Sequence, residues 1–296
     1  MRVFVTGATG FIGSALVPEL IKAGHKVLGL TRSEAGAKAL AAAGAEVHRG
    51  SIEDLESLKS GAAKSDGVIH LAFNHDFSKF KENSETDRRT IEALGSVLAG
   101  SDRLLIVTSG TLLVAPGRVA TEEDESAFTS ATIPRIATDE AAAAVAARGV
   151  RVSLMRLPQV HDQNKQGLIT FLIDLAREKG VSAYVGDGKN RWSAAHVSDT
   201  ARLYRLALEK GAAARYHAVA EEGVPVRDIA EVIGRRLKLP VVAKSPQEAA
   251  EHFGWMGGFA GLDGPASSRL TRERLGWRPV GSGLIADLER AHNLEI

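Results

Sequence analysis

Cysteine is absent from the 296-residue chain. That excludes disulfides, thiol nucleophiles and cysteine-held zinc, and is compatible with a reducing cytoplasm. The chain also lacks an excess of either charge, since 37 basic and 36 acidic residues leave a net +1. With no long basic tract and no aromatic–basic repeat, a nucleic-acid groove is not expected. No apolar run approaches the roughly 18 residues of a membrane-spanning helix. The N-terminus lacks the h-region and cleavage site of a signal peptide, so a soluble cytoplasmic protein is expected. Tyrosine is scarce: Tyr184, Tyr204 and Tyr216 all fall in the second half. A Gly-x-Ser-x-Gly elbow, a Gly-x-x-x-x-Gly-Lys-Ser/Thr loop and a His-Glu-x-x-His pair are all missing. Serine-hydrolase, P-loop and zinc-hydrolase readings therefore have no residues to rest on.

What is present is an ordinary globular mixture, 44% hydrophobic and 25% charged. It is long enough for one large α/β domain or two joined lobes. Val3–Val5, Val27–Leu30, Glu46–His48, Gly67–Leu71, Leu104–Val107 and Val152–Leu157 read as strands. Most are Val/Ile/Leu-rich without strict alternation, as strands buried on both faces of a parallel sheet are. Between them helices are expected near 11–23, 34–43, 53–62, 85–99 and 136–148. The Ala-rich stretches 39–45 and 140–147 suit close packing on the sheet. This alternation implies a doubly wound parallel sheet over about residues 1–161. After residue 161 the pattern loosens, with helices near 167–179, 197–210, 226–237 and 246–253. Residues 162–296 read as a smaller substrate-binding lobe, with about 193–220 returning to the main sheet through strand-like Tyr216–Val219. Glu122–Glu125 reads as a solvated surface loop.

Residues 6–13 are Thr-Gly-Ala-Thr-Gly-Phe-Ile-Gly, between the first strand and the first helix. Gly7, Gly10 and Gly13 there suit a tight turn, close approach of a pyrophosphate, and close helix–strand packing. The backbone of Thr9, Phe11 and Ile12 completes a helix N-terminus aimed at phosphate. A dinucleotide-binding Rossmann fold follows. NAD-preferring folds usually place Asp or Glu at the end of the second strand to bind the ribose 2′-hydroxyl. Here that corner is Thr31-Arg32-Ser33, with Arg32 19 residues after Gly13. A guanidinium cannot accept that bond but suits a 2′-phosphate, with Thr31 and Ser33 as further donors. NADP(H) is expected over NAD(H).

Thr6–Gly13 resembles the TGxxGxxG turn of the extended short-chain dehydrogenases/reductases, the epimerase/dehydratase-like group. Val68–Ala72 resembles their fourth strand, and Leu105–Thr111 the fifth. Arg156-Leu157-Pro158 resembles the segment beneath the nicotinamide. Gly186-Asp187-Gly188 with Ala195–Asp199 resembles the GDG…VHVDD signature, and Leu275–Pro279 the C-terminal LGW-x-P. The resemblance covers nearly the whole chain. It implies cofactor contacts from Ser51 and Ile52, where the family has Asp-Leu, and from Leu71, Ala72, Thr108 and Pro158. It also implies a small-molecule substrate and a possible homodimer through helices 85–99 and 136–148.

The departures bear on the reaction. The resemblance implies a Tyr-x-x-x-Lys pair, one helical turn apart, near 131–136. The sequence there, Ala131–Ile136, has neither residue, so the chain resembles an atypical subgroup. Arg135 is the nearest substitute, able to hold ribose or stabilise an alkoxide, against the plainer alternative of a solvated helix arginine. His161, after the Arg-Leu-Pro-Gln-Val strand, is the first candidate for a proton donor. Ser109 and Thr111 are candidates to hold the carbonyl or a relaying water, with Gly110 in the place of the family's serine. His70 and His196 read as packed or structural, and Phe73 and Trp192 as core or pocket lining. The leading reading is an NADP(H)-dependent reductase of a small or medium carbonyl or related compound. The alternatives are a non-catalytic NADP(H)-binding sensor and a nucleotide-sugar epimerase or dehydratase.

Overall fold

The computed structural model describes residues 1–295. The first half runs β1 (Arg2–Thr6), α1 (Phe11–Lys22), β2 (Lys26–Thr31), α2 (Glu34–Ala42), β3 (Glu46–Arg49), α3 (Leu55–Ala63), β4 (Gly67–His70), α4 (Phe80–Leu98), β5 (Leu104–Gly110), α5 (Ala137–Ala147) and β6 (Arg151–Leu157). The second half runs β7 (Gln159–His161), α6 (Ile169–Lys179), β8 (Ser182–Val185), β9 (Arg191–His196), α7 (Val197–Lys210), β10 (Arg215–His217), β11 (Glu221–Pro225), α8 (Val226–Leu237), β12 (Val241–Lys244), α9 (Pro246–Phe253), α10 (Gly257–Ala260), α11 (Arg269–Leu275) and α12 (Leu284–Glu289). None of these helices is long and apolar enough to cross a membrane.

Seven strands form one parallel sheet in the order β10-β6-β5-β4-β1-β2-β3. The reason lies in strands such as β1. Val3 and Val5 point to one face, where they pack with Leu16 and Leu20 of α1 and Tyr204 of α7. Phe4 points to the other, against Leu58 of α3 and Ile91 and Leu94 of α4. All three strand residues are buried, and each fully buried side chain of this size stabilises the fold by about 1.5–3 kcal/mol. The helix expected from residue 85 begins at Phe80. Its first inward-facing residues include Asn83, Ser84 and Asp87, so the apolar period that marks a helix is masked there.

The winding direction reverses between β1 and β4, where Thr6 pairs with His70. Ligands of open α/β sheets bind at such a point, beyond the strands' C-terminal ends. The return to this sheet starts later than residue 193. Ser193–His196 lie in β9, part of a separate sheet ordered β11-β9-β7, whereas β10 takes the edge beside β6. A second core, centred on Ile173, Trp192, Ile229, Ile233 and Leu288, holds the C-terminal elements together. The Leu275–Pro279 run is fastened to α7: Trp277 is buried and its Nε1 donates to the Asp199 carbonyl at 3.0 Å. Asp199 in turn accepts from the backbone of Val280 and Gly281.

Glu122 corrects the reading of 122–125 as uniformly solvated. Its carboxylate is buried and accepts from the Thr271 backbone N–H at 2.6 Å and its hydroxyl at 2.7 Å. An acidic run hides this, because only α11 supplies the partner. Losing a buried acceptor strands its donors at a cost of about 1–3 kcal/mol. Glu122→Ala should therefore lower the unfolding free energy by about 2 kcal/mol in denaturant titration. Glu125→Ala, at a side chain 86% exposed, should change it by less than about 0.5 kcal/mol.

Candidate active site

One cleft of about 1050 Å³ runs along the C-terminal edge of the main sheet. At one end is the glycine turn. Gly7 has φ +67°, and a Cβ there would come within 2.8 Å of the Ala72 nitrogen. A Cβ on Gly13 would collide with the Gly7 carbonyl. These glycines let β1, α1 and β4 meet with no side chain between. Helix α1 has Gly10 at its N-cap, with no side-chain cap and no acidic residue in its first turn. Its leading N–H groups therefore have no built-in partner, which fits an incoming phosphate. The Thr6 hydroxyl locks the turn by accepting from the Leu71 and Ala72 nitrogens, both at 3.2 Å.

Beside the turn, Thr31, Arg32 and Ser33 line the cleft. Arg32 is exposed and makes no hydrogen bond or ion pair among the described residues. Ser33 caps α2 by accepting from the Gly36 nitrogen at 3.0 Å, which leaves its O–H free to donate. Ser51 and Ile52 line the same end, and Leu71, Ala72, Thr108 and Pro158 the middle.

The far wall holds Ser109, Thr111, Arg135 and Asp139. Arg135 sits in the short turn Pro134–Ile136 that leads into α5. Its Nη1 donates to Asp87 Oδ2 at 2.8 Å and also to Thr138, and its Nη2 donates to the Thr108 carbonyl at 3.1 Å. Its guanidinium lies 4.0 Å over the Phe73 ring. Nε and one Nη2 hydrogen keep no partner among the described residues. Asp139, four residues on, accepts from the Ser109 hydroxyl and pairs with the buried Arg156 at 3.1 Å. Arg135 and Asp139 thus stand on the cleft wall with the four-residue spacing of the family's Tyr and Lys.

Behind the wall, Asp87 is 1% exposed. Its Oδ1 lies 2.9 Å from His70 Nε2, while His70 Nδ1 lies 2.7 Å from the Thr6 hydroxyl. Burial alone would raise the Asp87 pKa. The Arg135 charge, the bond and charge of His70 and the Thr138 bond outweigh it and bring it down to about 2.

His161 is not among the cleft-lining residues. It is buried, with Nδ1 2.8 Å from Asp287 Oδ2, so it ties β7 to α12 rather than facing a ligand. The strand end that suggested it continues into the small sheet, which carries the ring away. The histidine on the cleft wall is His75, and Lys165 lines the cleft as well. His75 is exposed, but partial loss of water around its ring, followed by the Arg135 and Lys165 charges, holds its pKa below the ordinary 6.5. Neither residue carries a motif, nor does Asp139. The hydroxyls are less free than the sequence suggests. Thr111 donates to the Leu157 carbonyl at 3.3 Å and lies 3.0 Å from the Ser193 hydroxyl. Thr108 is bonded to the buried Tyr204, whose pKa burial pushes well above its usual range.

The chain belongs to the NAD dependent epimerase/dehydratase family, which it matches over residues 3–219. It is 50% identical to an uncharacterized protein of Schizosaccharomyces pombe, over 97% of this chain and 98% of that one. It is 27% identical to a 4-hydroxy-2-methyl-3-oxo-4-farnesyl-3,4-dihydroquinoline-1-oxide ketoreductase of Stigmatella aurantiaca, over 76% of this chain and 70% of that one. The UDP-glucose 4-epimerase of Thermotoga maritima, solved with UDP-glucose, superposes with a TM-score of 0.76 over 98% of this chain and 97% of that one. At 22% identity, that likeness is one of fold.

The depressed Asp87 pKa makes stability depend on pH. Its folded value of about 2 lies below the ordinary 3.8, so the contribution is complete above about pH 4 and is lost as pH falls through about 2. At 1.36 kcal/mol per unit it amounts to about 2 kcal/mol. The gap in unfolding free energy between the protein and Asp87→Asn should shrink by that amount from about pH 5 to about pH 2. A gap independent of pH would mean that Asp87 is not held as a carboxylate.

Proposed function

We propose that the protein reduces a carbonyl compound with NADPH. One observation carries this reading: the glycine turn, the Thr31–Ser33 corner and the Arg135 wall open into a single cleft. Its volume of about 1050 Å³ reaches the upper end of the range of single small-molecule sites, leaving room for a second compound beside a dinucleotide. Bound there, the nicotinamide would supply the hydride. The first-turn N–H groups of α1 receive the pyrophosphate. Arg32, with the Ser33 and Thr31 hydroxyls, receives the 2′-phosphate that distinguishes NADPH.

At the reacting end, the unpaired donors of Arg135 stabilise the charge that develops on the carbonyl oxygen. A guanidinium serves here as a fixed charge and not as the proton donor. The proton comes from His75 in its protonated form, the part first assigned to His161. Ser109 and Thr111, with hydroxyls already engaged, shape the wall. The ketoreductase relative agrees with a carbonyl substrate. An epimerase reading needs a tyrosine in the cleft, and none is among the lining residues. The sensor reading draws on a different feature: Arg135 and Asp139 are both tied to buried partners, as a site built only to bind would also have them.

The test is NADPH and NADH oxidation across aldehydes, ketones and enones. NADPH should be turned over in preference. Arg32→Ala should raise its KM by roughly ten- to a hundredfold and leave the NADH value nearly unchanged, since a charge-assisted contact is worth about 1.5–3 kcal/mol. Binding of NADPH without turnover would select the sensor. If neither cofactor binds, both readings fall.

The reductase reading also sets a pH profile. Only protonated His75 donates, so kcat/KM should fall as pH rises through its pKa, which lies below 6.5. His75→Gln should remove that limb. Arg135→Met should lower kcat by about a hundredfold with little effect on NADPH binding.

A further inference from the structure

We infer that the substrate end of the cleft is built for a planar aromatic ring, so that the compound reduced is an aromatic ketone or aldehyde. For the reaction this rests on the reductase reading, and for the ring on side-chain geometry alone. Aromatic residues make up 5% of the chain, with nine phenylalanines. Phe73, Phe77, Phe80, Phe171 and Phe259 all line this one cleft. Phe73, Phe77 and Phe80 are near neighbours in the loop after β4 and the start of α4, whereas Phe171 of α6 and Phe259 of α10 are brought to them from distant parts of the chain.

Their geometry is ordered around Phe77. Its ring stacks on Trp255 at 3.8 Å with planes 7° apart, and meets Phe171 edge-on at 5.7 Å and 86°. Trp255 also meets Phe171 edge-on at 5.1 Å and 88°. Trp255 does not line the cleft and is 41% exposed, so it backs Phe77 from outside. Stacked and edge-on contacts of this kind are the preferred geometries of aromatic pairs. They hold rigid ring faces and edges at the chamber wall, which reward a flat ring more than a puckered saturated one of similar size. The same end holds the Arg135 guanidinium over Phe73, which places the carbonyl-polarising charge beside the first ring. The step balances: hydride from NADPH joins the carbonyl carbon, a proton joins the oxygen, and alcohol and NADP+ leave.

The experiment compares naphthyl methyl ketone with its saturated decalyl counterpart as NADPH-dependent substrates. It also measures binding of naphthol and decalol to the NADP+-loaded protein by saturation-transfer NMR. The aromatic ketone should show at least tenfold greater kcat/KM, and naphthol alone should bind. Phe171→Leu should cut both preferences by roughly three- to tenfold, and the milder Trp255→Leu should act in the same direction with the fold intact by circular dichroism. Equal turnover of the two ketones would overturn the ring site and leave the reductase standing. No turnover, with naphthol still preferred and the preference lost in Phe171→Leu, would overturn the reductase and leave the ring site standing. No preference in either assay would overturn the inference.

Discussion

A carboxylate removed from water must be compensated, and Asp87 is the case on which this site depends. Leaving one charge of such a group unpartnered costs about 3–5 kcal/mol. Asp87 avoids that by drawing His70, Arg135 and Thr138 onto its two oxygens. These partners belong to β4, the turn before α5, and α5 itself. His70 extends the chain to Thr6, whose hydroxyl also anchors the nitrogens behind the glycine turn. The glycine-turn end and the Arg135 wall of the cleft are thereby joined through one buried group. Arg135 is rigid because of it, and a rigid cation costs no reorganisation when charge develops nearby.

Arg135 and Asp139, four residues apart on the cleft wall, define what this wall can do. A phenol and an ammonium can move and tune a proton. A guanidinium and a carboxylate already paired with Arg156 stabilise charge without moving one. On the reductase reading proposed above, proton delivery falls to another group of the cleft, and His75 lines it. The family's architecture is retained.

The C-terminal elements serve the other half of the cleft. Their own core lets α6 and α10 present Phe171 and Phe259 to the chamber. Asp199 and Trp277 clamp the end of the chain onto α7, which packs in the same core as α1. The cleft thus takes one wall from the main sheet and the other from the C-terminal elements.

The central sheet, the glycine turn and the Thr31–Ser33 corner were readable because each depends on neighbours a few residues away. Val3, Phe4 and Val5 announce a doubly buried strand, and Gly7 and Gly13 announce a turn without side chains. Polar residues with distant partners were not readable in this way. Asp87 is 48 residues from Arg135, Glu122 is 149 from Thr271, and His161 is 126 from Asp287. Spacing along the chain says nothing about such pairs, so Glu122 read as solvated and His161 as a proton donor. Of the chamber's phenylalanines, Phe73 alone read as core or pocket lining, and Phe171 and Phe259 reach the cleft from distant segments. Local periodicity determined the scaffold, whereas the contents of the cleft were decided by contacts between distant segments, which form only once the sheet and the lobe have packed.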